Sequence, residues 1–250
     1  MASPSRADCK GEPLSGSGIL WVNSKITAPD KVSPELFRAW YEEVHIPDIL
    51  AAKQGGILAS WRYQCADPER PAPYLAIYSV PDLGFLQSNE FKAIPMAHDM
   101  LPGGEPIHIF ADFDAMVYKR VKVFEKGETK PGCGAVIITA CIQPAAGMEQ
   151  EFGRWYNEEH LEQVSETPGW RRSTRFELVF KTEDKDDLNR EITPKYLAIH
   201  EFEDGSLPGE RVQPLTPVTD WTEKMVGSAI KVDEAKFTLL RGFGDTNASI

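Results

Sequence analysis

The chain has 250 residues, 42% of them hydrophobic, and a formal charge of −11 from 38 acidic against 27 basic side chains. That is enough apolar residue to build a core, while the acidic balance argues against nucleic acid or an anionic membrane as partner. No run of about 18 apolar residues is present to span a bilayer.

Residues 1–17 are polar, rich in Ser, Gly and Pro, and lack an apolar stretch, so they read as a disordered leader and not a secretory signal. Cys9, Cys65, Cys133 and Cys141 form no Cys-x-x-Cys pair, which predicts free thiols, neither a zinc site nor a disulfide framework, and a cytoplasmic location. Gly18–Ile26 is a strand by β-branched content. Ser33-Pro34-Glu35 starts a helix, with Ser as N-cap, Pro at the first helical position and an acid in the first turn. Pro47 is expected to bend or end that helix, because its ring clashes with the carbonyl four residues back. Residues 57–64 and 74–80 form a hairpin, 82–100 is a looser helical region, and 107–124 holds a fourth strand.

Residues 125–134 read as a linker, after which the order repeats. Strands are expected at 135–142, 170–180, 195–202 and 236–243, and helices at 148–165 and 220–229. A charged loop covers 181–193, and the last seven residues read as frayed. The halves, 18–124 and 135–250, each follow β-α-β-β-α-β, the ferredoxin-like arrangement. Two such units can bury their bare sheet faces on each other within one monomeric chain, making an internal pseudo-dimer.

One nonapeptide recurs. Phe37 to His45 and Phe152 to His160 both read Phe-x-x-Trp-Tyr-x-x-x-His, and flanking apolar runs match in order: Gly56 to Tyr63 with Gly169 to Phe176, and Tyr74 to Tyr78 with Tyr196 to His200. An ordered series of matches is what tandem duplication leaves. On a helix, Phe37, Tyr41 and His45 step by four and share a face.

With Ile46-Pro47-Asp48 after the first motif and Pro168-Gly169 after the second, the chain resembles the dimeric α+β barrel superfamily, and within it EthD-like proteins. The resemblance covers residues 18–243. It implies an α+β fold of two tandem ferredoxin-like halves packed sheet to sheet. It also implies a small-molecule enzyme, since the superfamily hosts cofactor-free monooxygenases, cyclases, isomerases, decarboxylases, dehydratases and haem enzymes; fold alone does not choose among them. The second copy departs from the pattern, with Leu161-Glu162-Gln163 in place of Ile46-Pro47-Asp48.

His45 and His160 are the candidate general acid/base groups, with Tyr41 and Tyr156 as donors to a developing enolate. The plain alternative is a packed histidine at a helix end. Trp40 and Trp155 suit stacking on an aromatic ligand, or core packing. Arg62 and Arg175, at matched strand positions, would steady a carboxylate or phenolate if they face the pocket, and are solvated charges otherwise. Asp48, His98, His108 and His200 complete the candidate lining. One histidine per half at no fixed spacing to a second ligand gives no metal site, and no cofactor is expected. A Soret band on the purified protein would identify haem instead.

The expected function is a cofactor-independent lyase or isomerase of secondary metabolism. It would act on a small aromatic or polyketide-like molecule by cyclisation, isomerisation, decarboxylation or dehydration. The alternatives are a monooxygenase of the same superfamily and a non-catalytic binder. Half one keeps Pro-Asp and carries His98 and His108, so the working pocket is expected around His45.

Overall fold

A computed structural model describes residues 12–128, 130–181, 192–205, 207 and 209–250. Most of the leader, Cys9 and nearly all of the charged loop lie outside them. Eight strands are described: β1 Gly18–Ile26, β2 Ala59–Cys65, β3 Tyr74–Val80, β4 Ala111–Glu125, β5 Val136–Gln143, β6 Trp170–Lys181, β7 Tyr196–Phe202 and β8 Lys231–Gly244. They close into one antiparallel barrel in the order β1-β3-β2-β8-β5-β7-β6-β4. The halves meet twice, where β2 pairs with β8 and β4 pairs with β6. The barrel is thus made of two ferredoxin-like sheets from a single polypeptide.

Alternation along each strand assigns the two faces. Trp21, Trp61, Tyr63, Tyr118, Phe176 and Phe237 point inward and fill the lumen, all of them buried. The residues between them face outward, under the helices. Closure leaves neither sheet an open edge.

Two long helices cover the outer face. The first, α1, spans 34–51: it is α-helical over Pro34–Ala39, π-helical over Trp40–His45 and α-helical again over Ile46–Ala51. The Ser33 hydroxyl caps it, accepting from the Leu36 amide at 3.2 Å. A single turn, α2, follows at Asn89–Lys92. The second long helix, α3, is α-helical over Glu149–Trp155, π-helical over Tyr156–His160 and α-helical over Leu161–Ser165. The last helix, α4, is Asp220–Gly227.

Four expectations change. Pro47 does not end α1, which runs on to Ala51. Nor does it cause the π turn, because α3 makes the same turn with Glu162 at the matched position. The helical region at 82–100 reduces to a 3₁₀ turn at Leu83–Gln87 and the single turn α2, since Ser88 between them is extended and spends its hydroxyl on the Phe91 amide. Strand β8 starts five residues early, at Lys231, because β5 offers a pairing edge as far as Gln143. Residues 245–250 are not frayed: Gly132 donates to the Asn247 carbonyl, Thr174 donates to the Ile250 carbonyl, and Ile250 is fully buried against the lumen. Ile250→Ala should therefore cost about 2–5 kcal/mol in urea unfolding, a core-sized loss. A frayed tail would cost nothing measurable.

Candidate active site

The site grows from the π turns. In an α-helix, residues five apart point to different faces. In the wider turn each amide reaches back five residues, as Ile46 does to the Tyr41 carbonyl and Leu161 to the Tyr156 carbonyl. Residues five apart then overlay. Trp40 stacks on His45 with centroids 4.7 Å apart and planes 14° apart, and Trp155 lies 4.4 Å from His160 at 32°. The i, i+4 contacts survive as edge-to-face pairs, Tyr41–His45 at 5.4 Å and Tyr156–His160 at 4.9 Å. The repeated Trp-to-His spacing of five was the sequence signal for this geometry. Single π turns in α-helices recur at functional sites.

The outward side chains of the sheet supply the floor. Arg62 and Arg175 do face the helices. Arg62 stands 4.7 Å over the Tyr41 ring, and Arg175 stands 4.4 Å over the Tyr156 ring. Both are buried, so the solvated alternative does not hold. Ser60 and Ser173 lie two residues before them on the same face, and Tyr78 and His200 hold matched places on β3 and β7.

The halves then diverge. In half one His45, Trp40 and Tyr41 are buried, and the two aromatics join a continuous apolar cluster that includes Phe37, Tyr78 and Phe110. Asp48 is half-buried further along α1. His98 and His108 do not join the site. His98 is exposed and accepts from the Met100 amide at 3.1 Å. His108 is exposed on a 3₁₀ turn that precedes β4, not on the strand. Among the described residues neither has a ring contact or hydrogen bond with α1.

In half two, by contrast, His160 and His200 approach to 5.9 Å. The Trp170 indole donates to the Ser173 hydroxyl at 2.9 Å, and that hydroxyl lies 2.8 Å from His200 Nδ1. Indole is donor only. When every donor is used once, Ser173 passes its proton toward His200 Nδ1, and His200 keeps its own on Nε2. Burial, and then Arg175, push His160 down to about 4; burial, and then His160, push His200 down to about 3. Both rings are neutral near pH 7. Burial raises Tyr156 well above the ordinary phenol range, so it stays a donor.

The pKa shifts have a consequence for stability. The unfolded chain takes up protons on these histidines below about 6.5, and the folded chain resists until about 4 and 3. Their contribution therefore favours folding more as pH rises across that window. His200→Gln should flatten the acid-side rise in stability followed by urea unfolding between about pH 4 and 6.5. An unchanged slope would contradict a neutral buried His200.

The sequence reading missed Ser173, Trp170, Glu42 and Asn157. Ser60 and Ser173 could have been found, because they match at the same offset as the arginines. No group of three or more His, Cys, Asp or Glu side chains among the described residues could hold a metal ion, and no helix among them is long and apolar enough to cross a membrane.

No family model matches the chain. Among curated proteins, core atranone cluster (CAC) protein 1 of Stachybotrys chlorohalonatus is 25% identical over 197 residues, covering 74% of this chain and 82% of that protein. Among solved structures, a candidate monooxygenase from Fusobacterium nucleatum superposes with a TM-score of 0.54 at 13% identity, covering 93% of this chain and 97% of that one. An anthrone oxidase-like protein superposes at 0.53 and 12% identity, covering 96% of each. At these identities the likeness speaks to fold. The chain has the ferredoxin-like barrel fold of those structures, with both halves in one polypeptide.

Proposed function

We propose that this protein is a cofactor-independent monooxygenase of EthD-like type, acting on a small aromatic or polyketide-like metabolite of secondary metabolism through the pocket of half two. The observation that carries this reading is the approach of two neutral imidazoles, His160 and His200, to 5.9 Å beside the Arg175 guanidinium. Such an imidazole can take a proton from an activated C–H or a phenolic O–H. Arg175 would hold the resulting enolate or phenolate by a charge-assisted hydrogen bond. Tyr156 and Trp155 would supply the aromatic contacts to such a substrate.

The carbanion is electron-rich enough to reduce dioxygen directly. Written for a methylene flanked by aromatic rings, CH₂ + O₂ gives C=O + H₂O: carbon loses four electrons, dioxygen gains them, and both methylene protons leave in water. Support comes from the monooxygenase and anthrone oxidase names of the fold neighbours, and from the atranone cluster for which the curated relative is named. Anthrone is therefore the test substrate. Oxygen uptake that the protein accelerates above spontaneous oxidation is expected, and the same turnover under argon would sink the reading. A histidine, a phenol and a guanidinium also suffice for oxygen-free cyclisation, isomerisation, decarboxylation or dehydration, and anaerobic turnover would select that second reading.

Two expectations follow from the same site. The acid limb of kcat/KM should fall near the lowered His160 value of about 4 and not near the 6.5 of a free imidazole. A limb at 6.5 would remove His160 as the base. Since both sheets are closed within one chain, sedimentation should give a monomer near 27.9 kDa; a dimer that resists dilution would contradict the internal pseudo-dimer.

A further inference from the structure

Each half places a cross-strand pair of cations under its π turn, with one residue of that turn bridging them. In half one Arg62 of β2 and Arg241 of β8 are register neighbours. Glu42 bridges them, with Oε1 3.3 Å from an Arg62 nitrogen and Oε2 3.2 Å from an Arg241 nitrogen. In half two Arg175 of β6 and Lys122 of β4 are register neighbours. The matched helix residue is Asn157, whose Oδ1 accepts from Lys122 at 2.9 Å and from Arg175 at 3.4 Å. The hydrogen-bond frame is kept and the charge is not. Two cations with one carboxylate leave a net charge of about +1 in half one, and two cations with a neutral amide leave about +2 in half two.

Arg175 is only 8% exposed. Its described contacts are the Asn157 amide and the Phe152 and Tyr156 rings, and none brings a counter-charge. A buried guanidinium without a carboxylate is costly, and a bound anion removes that cost. Burial accordingly pulls the Arg175 pKa down. Its planar fork, beside His160 and over the Tyr156 ring, matches a carboxylate or an ortho-hydroxy carboxylate on an aromatic ring.

We infer that half two binds its substrate already as an anion, a carboxylate or phenolate set against Arg175, and that half one, where Glu42 already pairs with Arg62, does not. The inference rests on half two being the working pocket, and it adds the charge state of the substrate to that reading.

Titration by tryptophan fluorescence under argon tests it, with 1-hydroxy-2-naphthoate and its uncharged amide, 1-hydroxy-2-naphthamide, as probes. The wild-type protein should bind the acid about tenfold or more tightly over the amide, the scale of one charge-assisted hydrogen bond. Asn157→Glu supplies half two with the carboxylate that half one has, in reach of both Lys122 and Arg175. It should erase the preference and leave amide affinity within about twofold. Arg175→Gln, which removes the cation by a different route, should erase it too, whereas Glu42→Gln should leave it. Equal binding of the two probes, a preference that survives both half-two variants, or no binding of the acid at millimolar concentration would each overturn the inference. Because binding needs no oxygen, an acid preference without oxygen uptake on anthrone would sink only the oxygenase reading. Uptake without the preference would sink only the anion subsite.

Discussion

Replacing His160 by alanine should lower turnover by about 10²–10⁴-fold, the share of general acid–base catalysis, and replacing His45 should cost far less. The two histidines close matched π turns, so the larger difference lies in what faces them. His160 meets His200 across 5.9 Å, with Ser173 and Trp170 organising the second ring. The place of His200 is taken in half one by Tyr78, buried in the apolar cluster with Trp40 and Tyr41. His45 is stacked on Trp40 there, and losing that stack is worth about 0.5–1.5 kcal/mol of stability. The expectation of a pocket around His45 leaned on His98 and His108, and both are on the exposed surface. Steady-state kinetics on the two variants, each shown folded by circular dichroism, decides the point. A dead His45→Ala beside an active His160→Ala would reverse the assignment of halves.

Arg172→Ala should destabilise the fold by about 3–5 kcal/mol, because it strands a buried carboxylate. Arg172 and Glu201 lie 2.9 Å apart with side chains 1% and 0% exposed. Arg172 also reaches Glu125 at 2.8 Å and the carbonyls of Lys130 and Gly132, so it ties β6 and β7 to the segment joining the halves. Burial pushes Glu201 up to about 7 even though Arg172 opposes the shift. A carboxyl raised in the folded state stabilises below its unfolded value near 4.5, and that contribution is lost as pH rises toward about 7. Without Arg172 the folded value climbs further, so the cost of Arg172→Ala should be larger at about pH 8 than at about pH 5. Urea unfolding at the two pH values measures it, and an equal, small loss at both would show that the pair is dispensable. Replacing both partners by apolar residues should cost less than Arg172→Ala alone.

Much of the barrel was legible in the sequence because it is written in local pattern. Gly18–Ile26 and Tyr74–Val80 are short, largely apolar runs between turn residues, and Ser33-Pro34 marks a helix start that capping chemistry dictates. The repeat of Trp-Tyr-x-x-x-His then doubled the fold. What was not legible depends on long-range placement. A period of four put Tyr41 and His45 on one face, but it could not show the π turn that lays Trp40 over His45. A strand arginine has two faces to choose from, and only the closed barrel shows that Arg62 and Arg175 take the helix side. His108 reads as strand until the 3₁₀ turn at Ile107–Ile109 is seen to carry it. The burial of Ile250 depends on a lumen built by strands from both halves.

On the proposed mechanism half two reduces dioxygen through a neutral His160 and no cofactor. Oxygen-electrode measurement on haem- and flavin-free protein with anthrone, corrected for spontaneous oxidation, tests it most directly. One O₂ consumed per anthrone is predicted, with the rate about 100-fold or more lower in His160→Ala and nearly unchanged in His45→Ala. Anthrone conversion that proceeds equally under argon, or oxygen uptake indifferent to both substitutions, would contradict it.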